Sequence, residues 1–108
     1  MGRERRKAPR IKADLPIRWE GVMERHDATI TSLSTSGCFV LSGGEVGPRE
    51  LLRLELYLSD EEPLYLWAEV VDTAYEIGFA AQFTSTEPDD QARLAAYIQA
   101  IADVHGYT

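Results

Sequence analysis

The stretch Leu52-Arg53-Leu54-Glu55-Leu56-Tyr57-Leu58-Ser59 places leucine at every second position. Successive side chains of a β-strand point to opposite faces, so this period of two gathers four leucines on one face and Arg53, Glu55, Tyr57 and Ser59 on the other. Pro63 ends the turn that follows, and the pattern repeats: Leu64, Leu66, Ala68 and Val70 alternate with Tyr65, Trp67, Glu69 and Val71. Two adjacent half-buried strands with a short turn between them predict an antiparallel hairpin.

The same reading extends in both directions. Towards the N-terminus, Cys38–Leu41, the β-branched run Ala28–Leu33 and Pro16–Glu20 read as strands. Ser34-Thr35-Ser36-Gly37 breaks the run, and Ser42–Pro48 is a loop of glycine, serine and proline. Towards the C-terminus, Ile77, Phe79, Ala81 and Phe83 form a last alternating set. Thr86-Glu87-Pro88-Asp89 then has the form of a helix-capping box, and Leu94, Ile98 and Ile101, flanked by Tyr97 and Val104, recur at helical spacing. The sequence therefore predicts an all-β fold with a terminal helix: a small six-stranded antiparallel β-barrel plus a C-terminal α-helix at about residues 86–104.

A chain of 108 residues holds one core. The expected organisation is a flexible basic arm over residues 1–12 and a barrel domain over residues 13–108. Arg3, Arg5, Arg6, Lys7, Arg10 and Lys12 against Glu4 leave +5 on the arm, so of the net −7 the remainder carries −12. Such a body repels nucleic-acid phosphates, and no DNA or RNA partner is expected. No apolar run approaches the ~20 residues of a membrane helix. The basic start has no apolar stretch behind it, and Cys38 is the one cysteine, so a cytoplasmic protein without disulfides is expected.

The chemistry of catalysis is missing from the sequence. His26 and His105 have no partner at metal-ligand spacing, and neither a nucleophile elbow nor a phosphate loop is found. Asp60, Glu61 and Glu62 crowd a turn, where acids are solvated, and Cys38 lies in an apolar strand. We expect neither an enzyme nor a metal site. A platform of Trp19, Tyr57, Tyr65 and Trp67 for stacking single-stranded bases is a further reading, which the acidic body opposes.

Two segments carry binding chemistry. Arg5-Arg6-Lys7-Ala8-Pro9-Arg10 supplies guanidinium forks that suit phosphates and the O6/N7 edge of guanine, and Pro9 keeps Arg10 out of a continuous helix. Ser32-Leu33-Ser34-Thr35-Ser36-Gly37 is a strand end that turns through hydroxyls into a glycine, which would allow a positive φ.

In this order the two segments resemble the signature of the PilZ family, RxxxR followed by [DN]xSxxG. Arg6 and Arg10 match the first motif, with Arg5 completing RRxxxR, and Ser34 and Gly37 match the second. Ile77-Gly78-Phe79 is similar to the glycine-then-aromatic start of the family's last strand. The resemblance implies a cyclic di-GMP receptor whose arm orders on binding and signals to an effector protein. The implied ligand residues are Arg5, Arg6, Arg10, Ser32, Ser34 and Gly37. An arginine before RxxxR further implies two stacked cyclic di-GMP molecules. The sequence departs from the family at Ser32, where a neutral hydroxyl replaces the Asp or Asn. Losing one charge-assisted hydrogen bond costs roughly 1.5–3 kcal/mol. Ser32 thus supports an alternative, a PilZ-like adaptor that binds proteins and no nucleotide.

Overall fold

The computed structural model describes residues 9–58 and 62–107. Six antiparallel strands, β1 (Ile11–Glu20), β2 (Arg25–Leu33), β3 (Gly37–Leu41), β4 (Leu51–Leu56), β5 (Leu64–Ala74) and β6 (Gly78–Ser85), precede one helix, α1 (Pro88–His105). The strands close into a barrel in the order β1-β2-β3-β6-β5-β4. This is the fold class expected from the alternation.

The alternating residues line the interior. Leu52, Leu54 and Leu56 of β4 and Leu64, Leu66, Ala68 and Val70 of β5 are all buried, as are Ile11, Leu15, Ile17 and Trp19 of β1. Trp19 meets Phe79 edge-on at 5.6 Å and donates its indole N–H to Ser42 Oγ at 3.0 Å, which fastens the start of the β3–β4 loop. Trp19 is therefore an interior residue. Tyr65 and Trp67 stay outside, so the four aromatics do not form one stacking platform.

Several boundaries differ from the sequence reading, each for a physical reason. Ile11 is fully buried opposite Leu33, and Lys12 pairs with Ser32, so the barrel begins at residue 11 rather than 13. β4 stops at Leu56, although the Tyr57 N–H still donates to the Pro16 carbonyl at 3.1 Å. The capping box does not form. Pro88 occupies the first helical turn, and a residue before proline is held extended. Glu87, at φ −68° and ψ 149°, is thus the N-cap, with no side-chain capping bond.

β4 pairs with β1 only from Ile17 to Glu20. The first half of β1 has no strand on that side, and α1 packs there against β1 and β5. Leu94, Ile98 and Ala102 are buried, and Tyr97 and Ile101 are half-buried against the core. Val104, expected beside the apolar stripe, is exposed instead.

Closure depends on the β3–β6 seam. A Cβ on Gly78 would collide with the Val40 carbonyl oxygen, and one on Gly37 would stand 2.5 Å from the Ala81 carbonyl oxygen. These glycines admit close backbone approach. Gly37 does not use the positive φ open to a glycine: the requirement there is space, not handedness. We expect Gly78→Ala to cost about 2 kcal/mol or more, because the obstacle is backbone and cannot rotate away. Gly43→Ala, with nothing within 4 Å, serves as the control. Equal thermal midpoints for the parent and Gly78→Ala would show that the seam is not so constrained.

Candidate functional site

The two segments singled out in the sequence meet at one rim of the barrel. Arg10 immediately precedes β1, and β1 runs antiparallel to β2, so residue 10 arrives beside the end of β2. The Arg10 guanidinium donates from Nη1 to Ser32 Oγ at 3.2 Å, across 22 residues of chain. Arg5 and Arg6 lie outside the described residues.

Ser32 sits at an irregularity of the ladder. β1 carries one extra residue between Lys12 and Leu15, and β2 carries one between Ile30 and Ser32. Ile30 and Leu33, three apart, both point inward, while Thr31 and Ser32 are half-exposed between them. A bulge re-aims side chains in this way and often marks a site. The sequence shows no sign of it, because a bulge is a property of the pairing.

Ser34 has a different task from Ser32. It is buried, and its hydroxyl accepts from the backbone N–H of Ser36 at 3.1 Å and of Gly37 at 3.2 Å. The same oxygen lies 3.0 Å from Ser36 Oγ, and the Ser34 N–H donates to the Gly37 carbonyl at 2.9 Å. The Ser36 carbonyl in turn accepts from the Phe83 N–H at 2.9 Å, tying the turn to β6. Ser34 thus shapes the turn from within, and the Gly37 amide is engaged with it.

Cys38 lies directly behind this turn, paired with Leu33 and buried. Burial pushes its thiol up to about 12, opposed only by the nearby Arg10 charge. It stays a neutral core residue at physiological pH. No group of three or more His, Cys, Asp or Glu among the described residues is placed to hold a metal. No helix among them is long and apolar enough to cross a membrane.

A closed six-stranded antiparallel barrel with one C-terminal helix, and an arginine set against a serine–glycine turn at its rim, defines a class of small β-barrel domain. The chain belongs to the PilZ domain family, whose profile matches residues 4–100. No curated protein sequence matches it. Among solved structures, the chain is similar to the PilZ domain of YcgR from Escherichia coli, a structure with c-di-GMP. The TM-score is 0.77 at 13% identity, over 93% of each chain. It is also similar to the inhibitor of motility MotI/DgrA of Bacillus subtilis, with a TM-score of 0.76 and 22% identity over 91% of this chain and 51% of that one. The K. pneumonia MrkH–c-di-GMP complex gives a TM-score of 0.73 at 20% identity, over 90% of this chain and 52% of that one. The chain therefore spans about half the length of MotI and MrkH and most of the YcgR domain. Identities this low speak for a shared fold.

The internal role of Ser34 leads to a prediction. Ser34→Ala leaves two turn amides without their acceptor at a buried position, which costs about 1–3 kcal/mol. Ser36→Ala, at an exposed residue, should stay within about 0.5 kcal/mol of the parent. Denaturant midpoints measure both. Faster hydrogen exchange at the Gly37 amide in Ser34→Ala would locate the loss in the turn, and equal midpoints for the two variants would contradict the assignment.

Proposed function

We propose that this chain is a cyclic di-GMP receptor that acts by binding and conformational change rather than by catalysis. One observation carries the reading: Arg10 of the RxxxR segment already reaches Ser32 of the second motif, so the two segments share one rim. Family membership and the c-di-GMP in the YcgR and MrkH structures support it. The arm's charge also suits a small dianion held against an acidic body.

In this mechanism Arg6 and Arg10 grip phosphate oxygens and the guanine O6/N7 edge with paired N–H donors. Ser32 and the Ser34-shaped turn meet the other base. Binding orders the arm over the barrel and changes the surface offered to an effector protein, an order–disorder switch. Arg5 supplies the cationic contact for a second, stacked ligand, whose two further phosphates would otherwise repel the first pair. A second reading, an adaptor that binds a protein and no nucleotide, is favoured by Ser32, a short neutral hydroxyl where the family pattern has Asp or Asn.

Calorimetry with cyclic di-GMP separates the two. We expect the parent to bind, and Arg6→Ala or Arg10→Ala to abolish detectable binding. Arg10 is exposed, so its loss should leave the thermal midpoint nearly unchanged. A parent that gives no binding heat points to the adaptor, and an arginine variant that binds like the parent removes the arm from the site.

The same titration at ligand excess reads stoichiometry. Two cyclic di-GMP per protomer are expected, falling towards one in Arg5→Ala. A one-to-one isotherm for the parent would rule out the stacked pair and leave the receptor standing.

A further inference from the structure

The outer face beside Ser32 carries two side chains that belong to neither motif. In the ladder Lys12 pairs with Ser32, Ser32 with Phe39, and Phe39 with Ala80, which forms one row across β1, β2, β3 and β6. Directly paired residues share a face. The neighbouring positions Ile11, Leu33, Cys38 and Ala81 are all buried, so the row faces outward. Phe39 is half-buried on that face and is not among the residues packed on the core.

The next row pairs Gly37 with Gln82. Gly37 has no side chain because the seam forbids one, and Ala80 contributes only a methyl. The Phe39 ring therefore has low ground beside it at Gly37 along the strand and at Ala80 across it, while Leu41 bounds it at the other end of β3. Gln82 is exposed, and its amide makes no hydrogen bond among the described residues. The Glu69 carboxylate, beside Gln82 in the register, is engaged by Arg49 Nε.

Resting on the cyclic di-GMP reading above, we infer that Phe39 and Gln82 complete the base-binding surface: a guanine stacks on Phe39, and the Gln82 amide reads its edge. Ser32 and Gln82 lie on strands two apart and two residues apart along the strand direction, about 12 Å at the usual strand spacing and rise. That span leaves room for a purine with a hydrogen bond at each side. A glutamine amide offers a carbonyl to the guanine N1–H and N2–H and an N–H to O6, which a hydroxyl cannot do together. Gln82 thereby offers, from β6, an amide to the side of the base away from Ser32. Phe39 offers a π-face to the base, as aromatic platforms do in other nucleotide sites.

The test is a calorimetric cycle with cyclic di-GMP on the parent, Gln82→Ala, Ser32→Asn and the double variant, with cyclic di-AMP as the discriminating ligand. Gln82→Ala should bind about tenfold more weakly and lose much of its preference for guanine over adenine. Adding Ser32→Asn to Gln82→Ala should leave the loss of base preference in place, because the two positions meet opposite sides of the base. Phe39→Leu should weaken binding, and Phe39→Trp should retain it. Gln82 is exposed, so folding does not confound its variant, and thermal midpoints verify this. If Gln82→Ala keeps the parent's affinity and base preference, the inference is overturned and the receptor reading survives. If the parent itself fails to bind cyclic di-GMP, that reading falls and the inference with it.

Discussion

The contact on which the rest of the structure depends is the close approach of β3 and β6, where Gly78 lies against the Val40 carbonyl and Gly37 against the Ala81 carbonyl. A six-stranded sheet of short strands with unpaired edges would expose two rows of backbone donors and acceptors. Pairing β3 with β6 removes both edges at once and encloses the aliphatic interior built by β1, β4 and β5. The seam also fixes the Ser34–Gly37 turn, because its first residue on the β3 side is one of the two glycines. The Ser36 carbonyl then accepts from Phe83 of β6 and extends the seam into the turn.

The rim therefore takes its rigidity from the barrel. Ser34 satisfies the turn's amides from inside, and the β2 bulge turns Ser32 outward while Leu33 stays in the core. Arg10, one residue before the fully buried Ile11, is anchored by its neighbour and reaches Ser32 with its guanidinium. A turn satisfied from within and an arginine anchored beside the core bring the two segments together at this edge.

The acidic body is organised rather than uniformly repulsive. On the outer face of β2, β1 and β4, the register sets Asp27, Arg18 and Glu55 in one row and Arg25, Glu20 and Arg53 in the next. Each charge faces an opposite one across the strands. Arg18 binds Asp27 at 3.1 Å, and Arg53 stacks over Tyr65 at 4.8 Å. Exposed pairs of this kind contribute little stability. They do neutralise that face locally, because each row alternates in sign across the strands.

Strand identity, the inward leucines, the terminal helix and the two motif segments were all legible in the sequence, because side-chain period and turn chemistry are local properties. Periodicity says which face a residue takes and nothing about which strand lies beside it. The order β1-β2-β3-β6-β5-β4, the half-length β1–β4 pairing and the place of α1 therefore emerge only from the closed barrel. The same limit applied at the site. The sequence offered Ser32 and Ser34 as hydroxyls of one segment, the first a departure from the family pattern and the second a match, and Gly37 as a glycine free to take a positive φ. Pairing separated the serines, one turned outward by a bulge and one buried as the turn's acceptor, and it made Gly37 a point of backbone contact. Each of these roles depends on atoms that lie far away in the chain and close in space, which no local pattern records.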